Sequence, residues 1–153
     1  MAYSFPLERM ALTGLMTGTA LVAFAGSAAA QNDEQIARGE YLATAANCMS
    51  CHSAEDGAPY AGGLPVDTPF GTLYSPNITP HEGTGIGGYT EADFVASMRD
   101  GVNGDGEAMY PAHPYTFYNE MTEEDVQAIW AFLQSLEPVE NAVEVNQLTF
   151  PYN

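Results

Sequence analysis

The stretch Cys48-Met49-Ser50-Cys51-His52 decides how the rest of the chain is read. It holds both cysteines of the 153-residue sequence and one of its three histidines. Two thiols three positions apart can reach the two vinyl groups along one haem edge and close thioether bonds. The adjacent histidine then falls beneath the iron and offers its imidazole as proximal ligand, so C-x-x-C-H is the attachment signature of haem c. Two other chemistries use related spacings. A thioredoxin-like pair follows a βαβ unit, and none precedes Cys48. A zinc site needs further ligands, usually a second Cys/His pair, and His81 and His113 form no such pair. One motif therefore implies one haem c, tethered through Cys48 and Cys51 and ligated by His52.

Residues 1–30 read as a signal peptide and residues 31–153 as one haem domain. Arg9 closes a basic n-region, Met10 to Ala25 carries no charge, and Ala28-Ala29-Ala30 supplies the small-residue cleavage site before Gln31. The alternative is an uncleaved anchor, since the uncharged run to Asn32 is long enough for a crossing of about 20 residues. Its Gly, Thr and Ser content suits a cleaved segment better. Export implies a periplasmic protein, with membrane association through a partner or an uncleaved N-terminus as the variant of that reading. The domain that remains is small enough to need help in building its core. A covalently held, largely apolar haem supplies that help, so the haem-free chain is expected to be largely unfolded.

Charge is lopsided. Twenty acidic residues stand against Arg9, Arg38 and Arg99, with no lysine, for a net charge of −17. Cleavage would remove Glu8 with Arg9 and leave that figure unchanged. Such a surface repels nucleic acid and anionic lipid. It suits either a basic docking patch on a partner or salty or acidic surroundings.

The pattern of residues predicts a first helix from a cap at Asn32 or Asp33 through Asn47 into the haem motif. Gly39 and Ala43, four apart, would admit a second helix at close range, with Gly39 beneath Trp130 or Phe132. A Gly- and Pro-rich loop from Ser53 to Gly88 contains a short strand or hairpin at Phe70 to Tyr74. Thr90 to Asp93 reads as a capping box for a helix ending at Gly101. Thr122 to Asp125 reads as another, opening a helix with Val126, Ile129, Trp130, Leu133 and Leu136 on one stripe and ended by Pro138. Asn103-Gly104-Asp105-Gly106 lacks the register of a calcium loop and reads as a tight turn. The fold class is all-α: three to four helices whose long loops wrap one haem.

Several segments are similar to a known family. They are Arg38 to Leu42, the haem motif, Ala61 to Pro65, Thr68 to Pro80, Thr84 to Tyr89, and Tyr110-Pro111-Ala112-His113-Pro114-Tyr115. Together they resemble the class I-like haem domains in the cytochrome c subunits of membrane-bound alcohol- and gluconate-type dehydrogenases. The resemblance implies electron transfer from a partner dehydrogenase towards quinone or a terminal oxidase of a respiratory chain. It implies no substrate chemistry in this chain. It also sets Ser75 to Thr79 near the haem propionates, with Asn77 or Thr79 as donors. Family members often carry three such domains, so this chain is either a free-standing cytochrome or a piece of a longer reading frame.

The family usually has Met where this chain has His113. His113, Met121 and Met109 therefore compete for the sixth coordination position. His113 leads, because it holds the family position in a loop stiffened by Pro111 and Pro114. Met121 is the alternative, and Met109 or an open site comes last. A second imidazole in place of a thioether lowers the reduction potential. The rival class, a haem enzyme or gas sensor, would need a vacant sixth position and distal acid–base groups. Rapid uptake of carbon monoxide by the reduced protein would favour it.

Overall fold

The computed structural model describes residues 20–152, with side chains from residue 32 onward. Residues 1–19 of the expected signal peptide lie outside them. Helix α1 spans Ala20–Ala45. It starts twelve or more positions before the cap expected at Asn32 or Asp33 and runs unbroken past the Ala30–Gln31 junction. Alanine has the strongest helix propensity, and a helix already propagating through Ala28-Ala29-Ala30 needs no new cap. At its other end α1 stops short of the haem motif. Ala46 and Asn47 donate back to the Leu42 and Thr44 carbonyls (2.8 and 3.0 Å), and Asn47 turns left-handed at φ 60° and ψ 31°. Asparagine tolerates that conformation better than most residues. The turn redirects the chain into a single-turn helix, α2 (Cys48–Cys51).

Helix α3 (Glu91–Asp100) begins with the expected capping box. The Thr90 hydroxyl accepts from the Asp93 amide, and the Asp93 carboxylate accepts from the Thr90 amide at 2.8 Å. The Thr90 amide and hydroxyl, both donating to that carboxylate, hold the Asp93 carboxyl below its ordinary range. Gly101, at φ 69°, ends the helix as the sequence predicts. A short α4 (Tyr115–Tyr118) interrupts the segment between Gly101 and Thr122. Asn103 holds the tight turn, its side-chain oxygen accepting from the Asp105 and Glu107 amides.

Helix α5 (Glu123–Gln134) is capped by Thr122 as expected, but the box is not reciprocal. The Asp125 carboxylate turns instead to Arg38 on α1, accepting from Nε at 2.7 Å and pairing with a second guanidinium nitrogen. A two-donor guanidinium outcompetes one backbone amide for a carboxylate. The α5 stripe is Val126, Ala128, Ile129, Phe132 and Leu133. Trp130 sits at its edge against Phe94, with ring centroids 5.4 Å apart, and Gly39 lies under Ala128 and Phe132, not under Trp130. The helix stops at Gln134, before Pro138 can act as its terminator.

The hairpin at Phe70 is present. Strand β1 (Pro65–Thr68) pairs antiparallel with β2 (Gly71–Tyr74), and a third strand, β3 (Gln147–Leu148), adds to β2. Nothing in the residue pattern marks β3. Three long helices and two single turns thus match the small all-α haem-binding fold, with a three-stranded sheet beside it. Among the described residues no helix is long and apolar enough to cross a membrane.

The core forms where α1 crosses α5. Ala43, Val126 and Ile129 are fully buried there, joined by Leu133, Phe94 and Met98. A Cβ on Gly39 would fall onto the Ala128 carbonyl oxygen and lie 2.8 Å from the Phe132 Cβ. Both helices would have to separate along their length. Gly39→Ala should therefore destabilise the protein by about 1–3 kcal/mol despite its better helix propensity. Thermal denaturation followed by circular dichroism checks this; an unchanged or raised melting temperature would refute the close crossing.

Candidate functional site

The site is assembled from α2 and the loop behind it. Cys48 and Cys51 occupy the two ends of one helical turn, and the His52 amide closes that turn on the Cys48 carbonyl at 3.0 Å. Both cysteines are free thiols; Cys48 is half-buried and Cys51 exposed. Burial pushes the Cys48 thiol up to about 11, and the nearby Cys51 adds to the shift.

His52 is oriented from behind. Its Nδ1 lies 2.8 Å from the Pro76 carbonyl oxygen, which can only accept, so Nδ1 carries the proton and Nε2 keeps its lone pair. The approach of Pro76 depends on Gly62. The Gly62 amide donates to the His52 carbonyl at 2.8 Å, Gly63 donates to Ser75 at 2.8 Å, and Ser53 bridges Gly62. A Cβ on Gly62, at φ 74°, would lie 2.5 Å from the Pro76 carbonyl carbon. Burial lowers the pKa of His52, opposed in part by the hydrogen bond to Pro76, so the imidazole is held in its neutral, ligating form.

The segment after Pro76 corrects one expectation. Asn77 and Thr79 are almost wholly buried, and their donors are spent inside the protein. Asn77 Nδ2 donates to the Val139 carbonyl and the Thr84 hydroxyl, while its Oδ1 accepts from the Thr79 amide and hydroxyl. They fasten the loop to residue 139, and neither side chain has a donor left for a propionate. His81 accepts the Thr84 amide at 3.1 Å through Nδ1.

On the other side stands the loop between α3 and α5. His113 is half-buried; its Nε2 meets the Ser97 carbonyl of α3 at 3.1 Å, and its ring packs against Tyr118 with centroids 5.6 Å apart. Tyr118 donates its hydroxyl to the Ala46 carbonyl at 3.2 Å, next to the haem motif. Burial lowers the pKa of His113, and the His52 imidazole lowers it further. Tyr118 is raised by burial and then by Cys48 and Cys51. The thiols, Tyr118 and the two imidazoles thus share one neighbourhood. Met121 is half-buried against the core beside the Thr122 cap. That is the position of a hydrophobic staple against Val126. Met109 donates its amide to Gly101 and lies outside the core cluster.

Sequence reasoning misses the two carbonyls that orient the imidazoles, Pro76 and Ser97. Backbone carbonyls are common to every residue, so no side-chain pattern could mark them. Only the adjacent Gly62-Gly63, which lets two backbones touch, hints at the first.

The donor set is two thiols, an imidazole with a free Nε2 and a second neutral imidazole. Among the described residues no three His, Cys, Asp or Glu side chains gather into a metal cage. This set fits a tethered porphyrin, whose own nitrogens complete the coordination of its iron, and it defines a domain for covalent haem attachment. Residues 36–137 match the Cytochrome c family, and the chain belongs to that family. It is 44% identical over 142 residues to the gluconate 2-dehydrogenase cytochrome c subunit of Pantoea cypripedii, covering 92% of this chain and 32% of that protein. It is 40% identical to the fructose dehydrogenase cytochrome subunit of Gluconobacter japonicus, covering all of this chain and 33% of that protein. It is 40% identical over 136 residues to the cytochrome c subunit of the quinone-dependent alcohol dehydrogenase of Gluconobacter oxydans, covering 88% of this chain and 28% of that protein. The chain spans about a third or less of the length of these three relatives.

Asn77 is the polar hub on which the Pro76 approach rests. Asn77→Ala leaves the buried Thr79 amide without its partner and the Val139 carbonyl without its best donor, and should cost at least about 2 kcal/mol. Chemical denaturation measures it; a loss below about 0.5 kcal/mol would mean that water replaces the side chain at little cost.

Proposed function

We propose that this protein is a periplasmic haem c electron-transfer subunit that accepts electrons from a dehydrogenase and passes them towards quinone or a terminal oxidase. The observation that carries the reading is the His52–Pro76 hydrogen bond beside two free thiols, in a chain whose relatives are cytochrome subunits of dehydrogenases. When bound, the haem supplies a one-electron ferric/ferrous couple. Cys48 and Cys51 would hold it by thioether bonds, one haem to the chain. His52 would ligate through Nε2, made more basic by the proton that Nδ1 shares with Pro76. Ile78, Tyr89, Val95, Tyr118 and Met121, half-buried against the core, would exclude water. His113 would be the second axial ligand, with Met121 the alternative. Residues 1–30 would be removed on export, leaving a domain of residues 31–153. Glu55, Asp56, Glu140 and Glu144 border one groove and would meet a basic patch on the donor or acceptor.

Two outcomes test this reading. Protein made in cells competent for cytochrome maturation should keep its haem after denaturation in acidic acetone, and the double variant Cys48→Ser/Cys51→Ser should release it. A colourless, folded protein from such cells would overturn the proposal. The oxidised protein should also lack the far-red thioether-to-iron absorption band. Finding that band, and losing it in Met121→Leu but not in His113→Leu, would assign the sixth position to Met121.

A further inference from the structure

The two imidazoles are held by backbone carbonyls through different ring nitrogens. His52 gives Nδ1–H to Pro76, and His113 meets the Ser97 carbonyl with Nε2. A carbonyl oxygen has no proton to give, so His113 must carry its hydrogen on Nε2 and its lone pair on Nδ1. The acceptor is suited to the role. Ser97 belongs to the last turn of α3, where carbonyls have no partner within the helix. Gly101, four residues on, sends its amide to Ala96 instead. His113 thus caps the end of α3 from outside.

Other contacts fix the ring in this sense. The His113 amide donates to Tyr110 at 3.1 Å, its carbonyl accepts from Tyr115 at 2.9 Å, and the imidazole lies against the Tyr118 ring. Pro111 and Pro114 bracket the turn and restrict its backbone. Nδ1 is the one polar atom of this residue with no hydrogen-bond partner among the described residues.

We infer that His113 offers Nδ1 to the haem iron, opposite in tautomer to His52, because the Ser97 carbonyl holds its Nε2–H at the end of α3. The inference rests on the reading of His113 as the second axial ligand. Ligation through Nδ1 sets the β-carbon and the backbone of the Pro-stiffened turn nearer the porphyrin face than Nε2 would. It also leaves the α3 hydrogen bond intact, so the ligand would be oriented as His52 is, by a carbonyl behind it.

Proton NMR of the reduced, low-spin holoprotein with labelled histidine tests this directly. The porphyrin ring current moves protons beside the ligating nitrogen strongly upfield. Ligation through Nδ1 should shift the His113 Hε1 and Hβ protons and leave Hδ2 the less affected ring proton, with Nε2 still bearing its hydrogen. His52 should show the reverse, with Hε1 and Hδ2 both shifted. A strongly shifted Hδ2 on His113 would overturn the inference while leaving His113 as ligand. A methionine methyl far upfield, or a high-spin ferrous protein, would remove His113 from the iron and overturn the reading beneath it.

Discussion

Everything that gives this site its chemistry depends on how closely one backbone segment can approach another behind His52. The imidazole is aimed only if the Pro76 carbonyl comes within hydrogen-bond distance of Nδ1, and Pro76 reaches that point only because position 62 carries no side chain. The constraint is steric first and electronic second. Glycine opens the space, the carbonyl selects the tautomer, and the remaining ring nitrogen is left with the lone pair a metal needs. The two thiols at the ends of α2 stand beside an imidazole already oriented from behind.

A second close approach, far along the chain, serves the first. The crossing of α1 over α5 at Gly39 fixes the end of α1, and so the place where Asn47 turns the chain into the haem motif. The same crossing is tied at its edge by Arg38 and Asp125, a pair exposed enough to contribute little on its own. Asp125 is drawn from its capping role into that pair, so one side chain links helix initiation to helix packing. Local signals and tertiary contacts compete for the same carboxylate, and the guanidinium prevails.

Much of this is legible in the residues. Thr90 with Asp93, Gly101, and Val126, Ile129 and Leu133 of α5 each announce their structure through local chemistry, whereas Trp130 falls to the edge of that stripe and Leu136 beyond the helix end. Cys48, Cys51 and His52 announce a cofactor through spacing. What escapes a reading of the residues has a common character. The start of α1 is hidden because a cap signal at Asn32 carries no weight inside an Ala-rich helix. The partner of Gly39 is ambiguous between Trp130 and Phe132 because a small rotation of α5 decides it. Strand β3 leaves no mark because two residues hold no periodicity. The role of Asn77 is easily misread because a buried amide looks the same in sequence whether it serves a ligand or the chain itself.

The tail beyond α5 acquires a different meaning from these contacts. The family match ends at residue 137, which would make the last residues look dispensable. Yet Val139 receives Asn77 and Thr79, Asn141 reaches the Ala61 carbonyl at 2.8 Å, Asn146 accepts the Tyr74 amide at 2.8 Å, and Thr149 donates to Phe70. These residues buckle across the segments on either side of Gly62 and Pro76 like a belt. A boundary drawn where the family match stops would cut that belt and loosen the backing of His52 without touching either cysteine or either imidazole.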